Sequence, residues 1–205
     1  EIAEGLLHHV SHDLVEREYR SLSAFLDERE IQNLKTSFAS GSIPRIKFAE
    51  ALNILWEDTG DDRYRELSLK HFHAWEEIRL SQILGSHVWV TDFPMLEIPF
   101  YHEIALSEHD GIPLAQNADL ILMGGRETIG AGVRITDIEA LREKARIFSL
   151  PLEDYAPYCE MRGLPGYRQS AGFGLGWQRY VQWLLKSPRI WEVAHIPRGH
   201  LLPRP

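Results

Sequence analysis

The chain has 205 residues, of which 44% are hydrophobic and 25% charged, and its formal net charge is -8 at pH 7. This length supports one domain with a real core, and the composition is ordinary for a soluble globular protein. No apolar run could cross a bilayer, and the N-terminus does not form a signal peptide, so no membrane role is expected. The negative charge disfavours non-specific nucleic-acid binding. The single cysteine, Cys159, excludes an internal disulfide and a thiolate metal cluster, and it fits a reducing, cytoplasmic setting.

Helices are predicted in the first part of the chain. Apolar residues recur near one face of a helix between residues 3 and 27, and again between Pro44 and about Leu55. The charged stretch from residue 61 to 84 is the third predicted helix. These segments contain two pairs of histidines, His8 with His12 and His71 with His73. Both pairs are expected on the solvated surface rather than at a metal site.

Strands dominate the middle of the chain. Residues 87–92 form a predicted strand that ends before Pro94. Residues 100–107 and 118–123 are the predicted arms of a hairpin, with Asp110-Gly111 as its turn signal. The sequence therefore predicts mostly antiparallel pairing in this region.

A further strand is predicted at residues 129–135, and a helix follows it to about Phe148. Thr136 and Glu139 have the spacing of a capping box at the start of that helix. Helices come first and strands later, with the helices expected on one side of the sheet. This order indicates an α+β fold rather than alternating β-α-β units.

Glycines alternate with bulky apolar residues in the segment that follows. Because strand side chains alternate between faces, one face would be apolar and the other bare backbone. A helix is predicted from Trp177 to Lys186, with Arg179 in its first turn, and a guanidinium there suits phosphate. A ligand site and a close packing contact both remain open for this segment. The alternating residues are Gly172, Phe173, Gly174, Leu175, Gly176 and Trp177.

Three blocks of sequence, in this order, carry a family resemblance. The first is Val90-Thr-Asp-Phe-Pro94 with Pro99-Phe-Tyr101, the second runs from Asp119 to Arg134, and the third is the glycine segment. Together they resemble the catalytic domain of class II aminoacyl-tRNA synthetases of the aspartyl/asparaginyl branch. Weaker matches lie at residues 44–51 and 196–198.

The resemblance implies an antiparallel six-stranded sheet flanked by helices, and a reaction of aspartate or asparagine with ATP that gives an aminoacyl-adenylate. Glu127 corresponds to the acid that holds the magnesium bridging the ATP phosphates. Arg134 corresponds to the arginine that reads the substrate side chain, and Arg179 to the arginine on the ATP phosphates. The aligned glycines let the backbone approach the amino acid and adenosine; they are Gly172, Gly174 and Gly176. Asp92 and Asp119 also lie in matching blocks, with either a substrate contact or a structural turn role.

The chain departs from the family pattern in several places. Its first residues resemble the end of motif 2, so residues 1–205 are interpreted as the C-terminal part of the catalytic domain, without motif 1 or most of motif 2. Gly132 stands where a serine usually assists the metal, and Ser170 where a histidine is usual. Gln178 replaces an acid, while Ile135 is aspartyl-like.

These departures favour a paralog that passes the activated amino acid to ammonia or another amine. A genuine aspartyl- or asparaginyl-tRNA synthetase, with tRNA bound through a domain outside this chain, is the first alternative. A non-catalytic module that binds an amino acid or adenylate is the second. A homodimer is expected through motif 1 if that segment exists.

Two further patterns have a structural interpretation. Ser11-His12-Asp13 imitates a catalytic triad only in sequence, because adjacent residues on one helix cannot adopt the required geometry. The tryptophans in and after the last helix are expected in the core rather than on a stacking platform; they are Trp177, Trp183 and Trp191.

Overall fold

The computed structural model describes residues 1–38, 43–65 and 71–197 of the chain. Within them, the α-helices are α1 Ile2–Arg17, α2 Tyr19–Leu22, α3 Glu28–Leu34, α4 Phe48–Thr59, α5 Ala74–Leu84, α6 Ile138–Ile147, α7 Ala156–Glu160 and α8 Trp177–Leu184. The strands are β1 Arg45–Lys47, β2 Val88–Thr91, β3 Ile104–His109, β4 Ile112–Ala115, β5 Asn117–Ile121, β6 Glu127–Val133 and β7 Ala171–Leu175.

A five-stranded sheet forms the centre of the molecule, in the order β1-β2-β5-β6-β7. β1 runs parallel to β2, and every other neighbouring pair in this sheet is antiparallel. β3 and β4 form a separate hairpin. The α+β class is confirmed, as a largely antiparallel sheet flanked by helices.

Helices cover both faces of the sheet, which corrects the expectation of helices on one side. Alternation in β2 shows why: Val88 and Val90 pack with α4 and α5, whereas Trp89 packs on the opposite face with α1, α3 and α8. Trp89 donates from Nε1 to the fully buried Glu4 on α1, at 2.8 Å. Each face therefore has its own hydrophobic core.

A β-bulge interrupts the pairing of β5 with β6. Leu120 pairs with Ile129, but the next residue, Ile121, pairs with Glu127, so Thr128 is the extra residue. A bulge of this kind reverses the side-chain alternation beyond it. Ile129 consequently faces one core while Glu127 faces the opposite side of the sheet.

The predicted first helix is wrong in extent. It ends at Arg17, where Glu18 leaves helical geometry with φ -117° and ψ 22°. The separate helix α3 was missed, although Asp27 and Glu30 form its capping box. The second predicted helix begins late, at Phe48, because residues 45–47 extend to pair with β2.

The third predicted helix starts only at Ala74, after a single 3-10 turn at residues 62–64. Residues 66–70 of that prediction, and Arg198 in the weaker match, lie outside the described residues. At the other end of the chain, α8 ends at Leu184 rather than at the predicted Lys186.

The predicted hairpin has the right turn and the wrong second arm. Asp110 and Gly111 both have positive φ, as a tight hairpin turn requires, but β3 pairs with β4. β5 pairs with β2 and β6 instead. The capping box at residue 136 is also wrong, because the side chain of Asp137 caps α6 by accepting from the N–H of Ala140.

Among the described residues, no helix is both long and apolar enough to span a membrane.

His87 sits between the sheet and α8 and gives the fold a pH dependence. Its ring stacks on Phe38 and lies edge-on to Trp183, and its Nδ1 accepts from the N–H of Met123 at 2.9 Å. Burial lowers the pKa of this imidazole from 6.5 to about 4. The native protein therefore holds His87 neutral in a range where the unfolded chain binds a proton.

We expect wild-type stability to fall relative to His87→Phe as pH drops from 6.5 towards 4, because only the wild type must release that proton on folding. Urea unfolding of both proteins across this range measures the difference. Above the range the difference should be constant. A difference that stays constant throughout would contradict the neutral buried imidazole.

Candidate functional site

A cavity of about 650 Å³ lies against one face of the sheet, beside the core of α4 and α5. Its wall is built mainly by β5, β6 and β7 and by the segment that precedes β3. The polar and aromatic residues that line it are His71, Glu77, Glu97, Tyr101, His102, Asp119, Arg126, Glu127, Arg134 and Phe173. The second and third sequence blocks therefore meet at one concave surface.

One end of the cavity is basic. The Arg134 guanidinium stacks over the Tyr101 ring at 4.4 Å, and its Nη1 is buried with no hydrogen-bond partner among the described residues. His102 forms an antiparallel bridge with Arg134, so both side chains project from the same face. A buried guanidinium N–H without a partner is costly, and an anionic or amide group of a ligand would satisfy it.

The other end of the cavity is acidic. Asp119 on β5 pairs with Gly130 on β6, beside Glu127. Burial first, and then the charges of Glu127 and Glu77, raise the pKa of Asp119 to about 8. Two carboxylates in this arrangement repel each other, and a divalent cation would relieve that repulsion.

Arg179 lies in the first turn of α8 and pairs with the acidic end. Its Nη1 donates to the backbone oxygen of Glu127 at 2.6 Å and to the Glu127 carboxylate at 3.1 Å. The predicted phosphate arginine and the predicted metal acid are thus partners in this structure. Arg179 does not itself line the cavity.

The glycines of the third block have different surroundings. Gly174 lines the cavity, and a β-carbon there would meet open space. Gly172 faces Arg134, whose Nη2 would lie 3.4 Å from an added β-carbon. Gly176 does not line the cavity; it packs against Arg179 and the Thr128 carbonyl. The glycine face is therefore open at only one of the three positions.

Two residues in the acidic part of the wall were missed from the sequence. Glu77 on α5 accepts from Arg126 Nε at 3.1 Å and from the backbone N–H of Glu127 at 3.0 Å. It fixes the start of β6 from a distant helix. Arg126 adjoins Glu127 in the second block, which was a usable signal, but nothing in the sequence of α5 indicates the role of Glu77.

His102 was also missed. The residue is 7% exposed, and its ring packs against Gly132, where an added β-carbon would lie 2.6 Å from Nε2. A residue with a side chain could not occupy position 132 without moving this imidazole. Ser170, another departure, is exposed, and its backbone oxygen accepts from the N–H of Arg134 at 2.8 Å.

The other residues considered from the sequence have a structural role or lie on the surface. Asp92 has a positive φ of 60° and pairs with Lys47 at 3.6 Å outside this cavity, which fits a turn role. His71 is exposed but stands at the cavity rim beside Glu97, at 3.2 Å. Trp177 and Trp191 are exposed, at 47% and 52%, so the expectation of a core role is wrong for both.

The histidines and the serine of α1 form no catalytic or metal cluster. The centres of the His8 and His12 rings lie 6.2 Å apart. Among the described residues, no three or more His, Cys, Asp or Glu side chains are placed so that they could hold one metal ion. The Ser11 hydroxyl is hydrogen-bonded to that of Tyr180 at 2.7 Å, in the core.

Comparison with known proteins identifies the family of the chain. A family model described as "tRNA synthetases class II (D, K and N)" matches residues 1–200. The chain is 32% identical over 174 residues to an asparagine–tRNA ligase of Thermus thermophilus, a match that covers 82% of this chain and 38% of that protein.

Solved structures give the same result. The asparaginyl-tRNA synthetase of Pyrococcus horikoshii superposes with a TM-score of 0.84 at 25% identity, over 100% of this chain and 46% of that one. Its complex with asparaginyl-adenylate gives a TM-score of 0.81 at 25% identity, over 100% of this chain and 44% of that one. The chain thus spans less than half the length of the relatives it matches.

Because His102 packs on Gly132, a side chain at position 132 should destabilise the protein. Gly132→Ala should cost roughly 1–3 kcal/mol, because the added carbon overpacks the imidazole. In a His102→Ala background the same change should cost much less. Chemical denaturation of the wild type, the two single variants and the double variant gives a double-mutant cycle. Gly5→Ala on α1, where an added β-carbon meets no other atom, is the control. Equal costs in both backgrounds would contradict the contact.

Proposed function

The chain belongs to the class II tRNA synthetase family for aspartate, lysine and asparagine (D, K and N), and from this we propose that its cavity binds aspartate or asparagine with ATP and forms an aminoacyl-adenylate. The observation that carries the proposal is the unpartnered buried Nη1 of Arg134 at the cavity wall. Carboxylate and carboxamide side chains offer the oxygen that this group lacks. The adenylate complex of the Pyrococcus relative supports the same kind of site.

Arg134 binds the end of the substrate side chain in this proposal. Stacking on Tyr101 holds the guanidinium plane, and the absence of a side chain at Gly172 leaves its other edge clear. A fixed donor fork favours a planar carboxylate or amide over an apolar side chain of the same size. Gly130 and Gly174 have no side chains to fill the adjoining wall of the cavity, so the α-carbon, amino group and carboxylate of the substrate can approach the strand backbone.

Asp119 and Glu127 fit the magnesium ion that the family resemblance implies. Mg²⁺ is commonly held by one or two carboxylates together with substrate phosphates and water. The pKa of Asp119 is raised by burial and by the neighbouring carboxylates, so its carboxyl resists ionising, and a bound cation would favour the ionised form. When bound, the cation would offset the phosphate charge of ATP. Glu77 accepts from the backbone N–H of Glu127 and so fixes the strand at this position.

Arg179 is the phosphate-binding residue of the proposal. In this structure it pairs with the Glu127 carboxylate at 3.1 Å. When ATP binds, its guanidinium turns from this carboxylate to the phosphates. The pairing holds the arginine beside the acidic end of the cavity in advance, which lowers the cost of ordering it when ATP binds.

The chemistry requires orientation and charge stabilisation rather than a protein base. An oxygen of the substrate α-carboxylate attacks the α-phosphorus of ATP, the bond to the bridging oxygen breaks, and pyrophosphate leaves. The nucleophile is already ionised at neutral pH, so no proton has to be removed. The basic and acidic ends of the cavity hold the two substrates for this displacement.

The acceptor of the activated amino acid is the finer part of the proposal. Gly132, Ser170 and Gln178 depart from the tRNA-charging pattern and favour transfer to ammonia or another amine. A genuine tRNA synthetase, with tRNA bound outside residues 1–205, is the alternative. The assignment of this chain to the C-terminal part of a catalytic domain, and a homodimer built through motif 1, stay predictions.

A non-catalytic binding module is the second candidate function. The pairing of Arg179 with Glu127 favours it, since each of these two charges already has a partner. The unpartnered Nη1 of Arg134 and the crowding of Asp119 with Glu127 favour the ligase instead, because an amino-acid side chain would satisfy the first and a cation with phosphates the second.

ATP–pyrophosphate exchange on the longest natural polypeptide containing residues 1–205 tests the proposal, with aspartate and asparagine in separate assays. We expect exchange with at least one of them. Arg134→Ala should reduce it by at least about a hundredfold, because a charge-assisted contact to the substrate is lost. Arg146→Ala, an exposed arginine of α6 paired with Glu143, is the control. A folded protein that shows no exchange with either amino acid would contradict the ligase proposal and support the non-catalytic binding module.

A further inference from the structure

His102 lies at the basic end of the cavity as the direct cross-strand neighbour of Arg134. The bridge between the two residues places their side chains side by side on one face of the sheet. Both line the cavity. Any ligand group that reaches Arg134 from within the cavity therefore also passes the imidazole.

The position of the His102 ring depends on Gly132. The ring fills the space that a β-carbon at residue 132 would occupy, with Nε2 at 2.6 Å and Cδ2 at 2.7 Å from that point. Since real β-carbons essentially never approach so closely, only glycine at 132 allows this rotamer. The glycine and the histidine thus form a matched pair in the wall.

The imidazole is buried without being satisfied. His102 is 7% exposed, and its Nδ1 has no hydrogen-bond partner in the described chain, as is also true of Arg134 Nη1. Buried polar atoms in native proteins are mostly hydrogen-bonded, and two unpaired ones on bridged residues of the same cavity wall are accounted for by a ligand that contacts both. A ligand with two oxygens at one end can contact both side chains.

The charges around His102 are positive. Arg134 adjoins it, and Lys144 on α6 donates from Nζ to the His102 backbone oxygen at 2.8 Å. Burial and these two cations lower the pKa of His102 to about 4, so the ring is neutral near pH 7. Glu103 is the acid near Lys144, and the acidic group at Asp119 and Glu127 surrounds Gly130 at the other end.

We propose that His102 is a specificity-determining residue that contacts the side-chain end of the bound amino acid together with Arg134, and that this pair selects a carboxylate over a carboxamide. The proposal rests on the proposed function and names its substrate as aspartate. The positive charges of Arg134 and Lys144 favour an anion over a neutral group at this end of the cavity. In this proposal the neutral imidazole is the tautomer with its proton on Nδ1, which gives the second donor that a carboxylate, with acceptors only, can use fully. A carboxamide would direct its own NH₂ group at one of these two donors.

His102→Phe tests the contact, because it keeps a ring over Gly132 and removes both nitrogens. On the longest natural polypeptide, we expect the KM for aspartate in the exchange reaction to rise about tenfold, in keeping with loss of one hydrogen bond to a charged group. The KM for ATP should be unchanged, and the preference for aspartate over asparagine should shrink by a similar factor. His109→Phe, the same change on the exposed β3–β4 hairpin, should alter neither constant.

The outcomes separate this proposal from the proposed function. If the wild type catalyses exchange and His102→Phe has the same KM for the amino acid, the role of His102 is overturned and the ligase proposal stands. A wild-type preference for asparagine over aspartate would have the same meaning. Calorimetric titration with aspartate in the presence of ATP gives a second readout that does not require turnover. Neither binding nor exchange in the wild type would overturn both proposals together.

Discussion

The β-bulge at Thr128 is the constraint on which the site depends. Glu127 and Arg134 lie in one continuous segment an odd number of positions apart, so a regular strand would place them on opposite faces. The extra residue reverses the alternation, and both side chains enter the same cavity while Ile129 stays in the opposite core. Glu77 supports this geometry by accepting the N–H of Glu127. The strand thereby serves the core and the site at once.

The cavity is polarised along β6. Carboxylates lie against Gly130, whereas the His102 ring lies against Gly132 and Arg134 against Gly172 of the neighbouring strand. This division suits a substrate pair in which a polyphosphate with its cation lies at one end and an amino-acid side chain at the other. Gly132 therefore does more than leave space, because its missing side chain is replaced by an imidazole from another segment.

Local chemistry explains which features were predictable from the sequence. The turn at Asp110 and Gly111 was correct because positive φ has a clear residue signature, but the choice of β4 rather than β5 as partner was not local. The cap at Asp137 was misplaced by one residue, since a threonine with the right spacing stood beside it. In the candidate site, the family resemblance pointed to Glu127 and Arg134, and both line the cavity, whereas His102 can be recognised only from the fold, which brings its ring over Gly132.

Proposed formation of an aminoacyl-adenylate requires that this cavity bind one, and calorimetric titration with a non-hydrolysable sulfamoyl analogue of aspartyl-adenylate measures that binding. We expect saturable binding to the wild-type protein, tighter than that of ATP or aspartate alone, because one molecule engages both ends of the cavity. Binding to Arg134→Ala should be weaker. Absence of binding to a folded wild-type protein, or equal binding to both proteins, would rule out the proposed adenylate site.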